Sequence, residues 1–469
     1  MLDTRREVRR LWGKLQFSPS RAMAKFSCAL VVAWILAMLP AYPGLEDAAR
    51  EAFFILLFAI GLWVTEAVPS FAVAFLVIAL EIYILGRPDG PFAATGKSWE
   101  IFVRPWSSPL IWLFFSGFVM AQAAHKTRLD RWFARHVLGW FGSNPRHVLL
   151  GLMAITFTFS MFMSNTATTA MMMAVLAPIV ASMGDENPFR RGILLGVPFA
   201  ANIGGMGTII GSPPNAIAVG SLTQSSISFL DWMIVGLPPA ILLAGIAYLY
   251  LIWSYPSSVP SIDLSSLKDP SYQSAQLPNW KKLLVMIVFF LTVILWMTGP
   301  LHHIPTPVIS FIPIAIFSVA RVTCAEDIRQ LSWDVLILLT GGLSLGVAVA
   351  ETGLAVWLVD VLPLGDMGIF LLALTFSYLA TILSNFMSNT AAANILVPIG
   401  IAAASGLELM LVVPIALGAS AAMCLPISTP PNAIAYTSGL LRNTDFMRAG
   451  VLIGLLAPLL AVIWCFIIW

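Results

Sequence analysis

The chain has 469 residues, of which 59% are hydrophobic and only 10% charged, and its mean hydropathy is +0.89. Soluble domains carry about 25% charged residues, so an ordinary cytosolic protein is excluded, and a formal net charge of +2 is too small to point to nucleic acid. An all-α integral membrane protein with many spans is the class that remains.

Residues 1–25 form a basic tail ahead of the first apolar run. The arrangement resembles a signal peptide, but the basic part is long and no A-x-A-like site follows "AMLPAYPG"; it reads as a cytoplasmic tail. Runs approaching the ~20 residues needed to cross a bilayer then fall at 26–42, 51–67, 70–86 and 106–124. Next, "HKTRLDRWFARHVLGWF" alternates basic and aromatic residues and predicts an amphipathic helix on the membrane surface. The stretch 148–183 is too long for one span, carries a polar cluster in its middle and has Pro178 near its far end. A re-entrant helix-loop-helix hairpin fits it. Spans at 192–223 and 232–253 follow, and the Pro- and Ser-rich segment Tyr255 to Trp280 reads as a cytoplasmic linker. The second half gives spans at 283–299, 307–322 and 333–351, a second hairpin at 368–405 containing Pro398, and spans at 409–440 and 449–468. The expectation is eleven spans and two hairpins.

Charge placement supports this layout. With the N-terminus inside and both hairpins re-entrant, twenty-one of the 25 Lys and Arg lie on the internal side. Only Arg50, Arg87, Lys97 and Arg104 lie outside, a strong positive-inside bias. The chain then ends externally at Trp469. No Lys or Arg falls deep in the membrane; Glu66 and Glu81 are the most membrane-proximal acids. Both lie near expected helix ends, where a capping or interfacial role competes with a proton relay.

Little in the chain resembles enzyme chemistry. Cys28, Cys324, Cys424 and Cys465 have no CxxC spacing and read as small packing residues. His125, His136, His147, His302 and His303 fall in loops or at helix ends, and the His302-His303 pair reads as interfacial in preference to metal-binding. HExxH, Walker A, GxSxG and strand-associated GxGxxG patterns are missing from the sequence.

The two halves repeat each other. "FSMFMSNTATTAMMMAVLAP" (Phe159 to Pro178) parallels "LSNFMSNTAAANILVP" (Leu383 to Pro398), and "GGMGTIIGSPPNAIAVGS" (Gly204 to Ser221) parallels "AMCLPISTPPNAIAYTSG" (Ala422 to Gly439). Two hexapeptides, FMSNTA and PPNAIA, recur in the same order, which implies an internal duplication. Four spans precede the first hairpin and nine the second, so the repeats are inverted, an arrangement that places transporter binding sites near the bilayer midplane.

Non-helical backbone at membrane depth is tolerated only inside protein or against a water-filled cavity. Ser, Asn and Thr compete for backbone hydrogen bonds and favour the helix N-cap, so each SNT cluster is a break point. Pro213-Pro214 and Pro430-Pro431 are expected to stop the incoming helices, with Asn215 and Asn432 capping the outgoing ones. Four half-helix N-termini would then converge, with free N–H groups and positive dipole ends suited to an anion. Asn165, Thr166, Asn389 and Thr390 add donors, and the exposed carbonyl and hydroxyl oxygens suit Na⁺. For one isolated cluster, interhelical hydrogen bonding is the competing explanation. Two inverted copies, each followed by a PPNAI break, weigh against it.

At these residues, and at "LWVTEAVPS" (Leu62 to Ser70), the sequence resembles the divalent-anion/sodium symporter family of INDY-type dicarboxylate transporters over nearly its whole length. The resemblance implies a homodimer working by an elevator mechanism. Its scaffold domain would comprise 26–124 and 283–351, its mobile transport domain 148–253 and 368–469, and a linker 254–282 would join the halves. A first sodium site would use Ser160, Ser164, Asn165 and the carbonyl of Gly207. A second would use Ser384, Asn389 and the carbonyls of Met387 and Ser428. Substrate would meet Asn165, Thr166, Thr208, Asn389, Thr390 and Pro430. Ser384 stands where the family pattern has threonine and Ser428 where it has alanine; both keep the ligand oxygen. The implied function is Na⁺-coupled symport of C4-dicarboxylates such as succinate, malate or fumarate across the inner membrane, without an organic cofactor. The alternative is Na⁺-independent exchange of di- or tricarboxylates, with an anion channel or a membrane-embedded enzyme behind it.

Overall fold

The structure, a computed structural model, describes residues 19–39, 42–92, 99–184, 186–222, 227–263, 278–361, 367–404 and 406–469. Within them the regular elements are all helical. The first half holds α1 (Pro19–Met38), α2 (Asp47–Thr65), α3 (Ser70–Leu80, continued as a π-helical turn Glu81–Leu85), α4 (Pro109–Lys126), α5 (Leu129–Trp140), α6 (Pro145–Ser160), α7 (Asn165–Ser182), α8 (Phe189–Gly204), α9 (Pro213–Ser221) and α10 (Phe229–Ser254). The second half holds α11 (Asn279–Met297), α12 (Gly299–His302), α13 (Thr306–Ile309), α14 (Phe311–Val319), α15 (Ala325–Arg329), α16 (Trp333–Glu351), α17 (Leu354–Val361), α18 (Ile369–Ser384), α19 (Asn389–Ala403), α20 (Glu408–Ser420), α21 (Pro430–Tyr436) and α22 (Asn443–Ile468). Seven of the described helices are long and apolar enough to cross a membrane, including α1, α2, α10, α11, α16 and α22.

Local chemistry sets many of the boundaries. α4 and α6 start with a Ser-Pro and an Asn-Pro pair, in which Ser108 and Asn144 accept the backbone N–H of Leu110 and Arg146. The capping residue satisfies an orphan donor, and the proline at N1 has no N–H to lose. α10 starts with a reciprocal capping box between Ser228 and Asp231. α2 ends where Glu66 turns left-handed, with φ +49°.

The duplication is visible in the packing. α6 packs on α8 as α18 packs on α20, and α7 on α8 as α19 on α20. α10 packs on α8 as α22 does on α20. Outside this group, α3 packs on α16 as α14 packs on α4, and α2 on α3 as α11 on α14. Helices α2, α3, α4 and α5 are thus the counterparts of α11, α14, α16 and α17. The repeats also cross: α9 packs on α19 and α20, and α21 on α7 and α8.

Contacts between the ends agree with the charge pattern. Segments that charge places on one side touch one another: Lys126 Nζ lies 2.5 Å from Asp327 Oδ2, Lys281 donates to Arg321 O (2.6 Å), Ile262 N to Ser143 O (2.8 Å), and Tyr255 Oη to Asp445 Oδ1 (2.8 Å). At the other end Arg87 meets Glu51 (3.4 Å), and Trp357 Nε1 donates to Pro43 O (3.2 Å).

Several expectations shift. α1 begins at Pro19, inside the expected tail, whose residues 1–18 lie outside the described residues; so do 264–277 of the linker. The span at 307–322 is divided at Ser310 between α13 and α14. α17 was not foreseen, although as the counterpart of α5 it was implied by the duplication. Glu66 sits exposed at a helix end as expected, but Glu81 is fully buried instead of interfacial. Its Oε2 meets Ser344 Oγ, and Ser344 Oγ donates to Phe102 O (2.9 Å). A hydroxyl carries one proton, so the chain from Glu81 through Ser344 to Phe102 closes only when Glu81 supplies a second.

Candidate functional site

Both SNT clusters are hairpin tips. Ser164 and Ser388 are the N-caps, and Asn165 and Asn389 are the first helical residues of α7 and α19. Ser388 Oγ accepts from Ala391 N (3.1 Å). Behind each tip lies a serine that ends the incoming helix. Ser160 Oγ lies 2.6 Å from the Asn165 amide and donates to Ala201 O (2.7 Å). Ser384 Oγ lies 2.7 Å from Asn389 Oδ1 and 2.8 Å from Ala419 O. The two arrangements correspond atom for atom. The Asn165 amide is satisfied with its nitrogen toward Ala201 O (3.3 Å) and Gly211 O (3.1 Å), which leaves its oxygen available.

The broken helices supply the other walls. The incoming helix stops at Gly204 in the first repeat and Ser420 in the second, well before the prolines. Pro213-Pro214 and Pro430-Pro431 instead occupy the first two positions of the outgoing helices, capped by Ser212 and Thr429. Asn215 and Asn432, expected as caps, sit at the third position and reach backwards. Asn215 Nδ2 donates to Gly205 O (2.9 Å) and Thr208 O (2.7 Å); Asn432 Nδ2 donates to Met423 O (3.1 Å) and Leu425 O (3.0 Å). Each asparagine ties down the loop that carries Gly207 or Ser428. The prolines also revise the donor count. They have no N–H, and the next N–H in each helix is taken by Ser212 O or Thr429 Oγ1. Free backbone donors therefore remain at the two SNT tips, not at all four helix starts.

Close backbone approach requires glycine here. A Cβ on Gly205 would lie 2.7 Å from Asn165 Oδ1 and 3.0 Å from Gly211 O. Thr208 is fully buried; its hydroxyl binds Met161 O and accepts from Gly211 N (3.1 Å). It braces the loop and does not face an opening. Thr166 and Pro430 are exposed, Asn165 and Asn389 half-buried, Thr390 buried at 9%, Gly207 and Met387 buried. The structure thus brings Ser160, Ser164, Asn165 and the Gly205–Thr208 loop together, and likewise Ser384, Met387, Asn389 and the Met423–Ser428 loop.

Sequence reasoning missed the residues that join the halves. Asn202 Nδ2 donates to Thr429 Oγ1 (3.0 Å) and Asn432 Oδ1 (3.3 Å), and Ser212 Oγ meets Ser420 Oγ (3.0 Å). Their only signal was position: Asn202 and Ser420 are equivalent in the duplication, as are Ser212 and Thr429. One pair is treated unequally. Phe162, before the first SNT, packs edge-on against Phe289 of α11 (6.0 Å), whereas its repeat mate Phe386 is 70% exposed.

Duplicated hairpins and broken helices, meeting in an apolar helical bundle and lined by amides, hydroxyls and carbonyls, define a membrane transporter of the secondary type. The comparisons specify the family. The family described as "Citrate transporter" (CitMHS) matches residues 60–413, and the chain belongs to it and to the divalent-anion/sodium symporters. An "uncharacterized transporter" of Haemophilus influenzae is 31% identical, covering 90% of this chain and 93% of that protein. Sodium-dependent dicarboxylate transporter SdcS of Staphylococcus saprophyticus is 30% identical, covering 86% and 82%. The fold is shared with MtrF of Neisseria gonorrhoeae (TM-score 0.55, 10% identity, 87% and 96% covered) and the YdaH transporter of Alcanivorax borkumensis (TM-score 0.54, 12% identity, 90% and 98% covered). The protein is a multi-pass membrane transporter and not an enzyme.

Proposed function

We propose that the chain is a sodium-coupled symporter of C4-dicarboxylates in the inner membrane, with its N-terminus cytoplasmic and C-terminus external. The observation that carries this reading is the matched pair Ser160–Asn165–Ala201 and Ser384–Asn389–Ala419. Each cluster offers hydroxyl, amide and carbonyl oxygens, the hard neutral ligands that suit a small cation. Sodium would take oxygens from Ser160, Ser164, Asn165 and Gly207 in one cluster, and from Ser384, Met387, Asn389 and Ser428 in the other. The substrate would lie against Asn165, Thr166, Asn389, Thr390 and Pro430, with Thr208 acting from behind the loop. Its carboxylates would face the free N–H groups and positive ends of α7 and α19, each worth roughly half a charge. One sodium in each cluster would balance a dianion and lower the cost of removing either from water.

Helices α6–α10 and α18–α22 would move together as the transport unit against a scaffold built on α1–α4 and α11–α16, in a homodimer held through the scaffold. The name of the staphylococcal relatives supports sodium and a dicarboxylate. The test is uptake of labelled succinate by proteoliposomes, which should require an inward Na⁺ gradient. Uptake indifferent to Na⁺ would remove symport; counterflow dependent on internal substrate would then identify the exchange reaction.

A further inference from the structure

We infer that Asn202 and Ser420 are positioning residues that couple the two sodium clusters across the repeat axis, an inference that rests on the symport reading above. Each sits one residue beyond the carbonyl that anchors its own cluster. Ala201 O accepts from Ser160 Oγ of the first cluster (2.7 Å), while the next side chain, Asn202, donates to Thr429 Oγ1 (3.0 Å) and Asn432 Oδ1 (3.3 Å) of the other repeat. Asn432 holds Met423 O and Leu425 O, and Leu425 O accepts from Ser428 Oγ (2.8 Å), in the residue whose carbonyl belongs to the second cluster.

The return path is the same in mirror order. Ala419 O lies 2.8 Å from Ser384 Oγ of the second cluster, and the next residue, Ser420, meets Ser212 Oγ (3.0 Å). Ser212 caps α9 and its carbonyl accepts from Asn215 N (3.1 Å); the Asn215 amide holds Gly205 O and Thr208 O on either side of Gly207. Asn202, Ser212, Ser420, Thr429, Asn215 and Asn432 are all at most 2% exposed. Water therefore cannot replace a lost partner, and the links act as a network and not as separate bonds. Ion binding that fixes one serine fixes the helix end behind it and orders the opposite loop, so the second ion binds a site already arranged. That is positive cooperativity through shared ordering.

Na⁺ titrations of succinate uptake by proteoliposomes test this in wild type, Ser212→Ala, Ser420→Ala and the double variant. The wild type should show a Hill coefficient above 1. Each single change should lower it toward 1 and raise half-saturating Na⁺ roughly fivefold or more, and the double change should add nothing, since both break one bond. Ser212→Thr and Ser420→Thr, which keep a hydroxyl, should retain cooperativity. Where uptake is too weak to measure, the melting temperature in detergent across the same Na⁺ series reads binding without transport. Unchanged cooperativity in the alanine variants, or additive effects in the double, would overturn the coupling and leave symport standing. A wild type indifferent to Na⁺ would overturn both.

Discussion

Gly205→Ala tests whether Asn165 must hold its present place. The added Cβ would lie 2.7 Å from Asn165 Oδ1, 2.8 Å from its Nδ2 and 3.0 Å from Gly211 O. Ordinary carbon contacts lie near 3.5 Å or beyond, so the amide must retreat by several tenths of an ångström, away from Ala201 O and Gly211 O. Overpacking of this kind costs about 1–3 kcal/mol, and each lost hydrogen bond about 1 kcal/mol. At 1.4 kcal/mol per tenfold, the apparent affinity for sodium or succinate should fall roughly 5- to 150-fold. The assay is Na⁺- and succinate-dependent uptake in proteoliposomes, with melting temperature and gel filtration as checks on folding. Gly245→Ala in α10, where no atom lies within 4 Å of the new methyl group, is the control and should transport normally. A folded Gly205→Ala protein with wild-type dependence on both solutes would refute the placement of Asn165 in the site.

Asn165→Ala and Asn389→Ala should each abolish uptake while expression and oligomeric state stay near normal, as read by fluorescence-detected gel filtration; normal transport by both would remove the site assignment. Burial pushes the Asp327 carboxyl up, but hydrogen bonds from Lys126, Cys324 and Gln122 outweigh it and hold its pKa at about 2. The stabilisation is present above the unfolded value of roughly 4 and lost as pH falls through the folded one. Asp327→Asn should therefore lower the melting temperature at pH 7, with the difference narrowing below pH ~4 and closing near pH ~2. Glu81→Gln can still donate to Ser344 and should melt within a few degrees of wild type. Glu81→Ala leaves Ser344 without its partner in a buried site and should cost about 1–3 kcal/mol, measured by unfolding in detergent.

Much of this fold could be read before any coordinates. Long apolar runs fixed where helices lie, because hydropathy has little competition in a membrane segment. The FMSNTA repeats located both hairpins to within a few residues, since Ser164 and Ser388 do cap as serines prefer to. Composition could not separate a proline that ends a helix from one that begins it. Pro213 and Pro430 begin theirs, and the incoming helices fail earlier, at Gly204 and Ser420. Nor could it reveal Asn202 or Ser420, single polar residues in apolar runs whose partners lie more than two hundred positions away. Glu81 misled for a related reason: its depth depends on Ser344 and Phe102, which tertiary packing alone brings to it.

The unequal fates of Phe162 and Phe386 carry a consequence for energetics. The two residues occupy the same place in a duplicated sequence, yet one rests on Phe289 of α11 while the other is bare. A pair of interchangeable halves, unequally seated, has a second arrangement in which the halves trade roles. There Phe386 would rest on α2, the counterpart of α11, and Phe162 would be the ring left uncovered. Each arrangement gains one aromatic contact and gives up its twin, so the ledger between them nearly cancels. A machine balanced in this way needs no spring to return: the direction of travel is left to the solutes on either side.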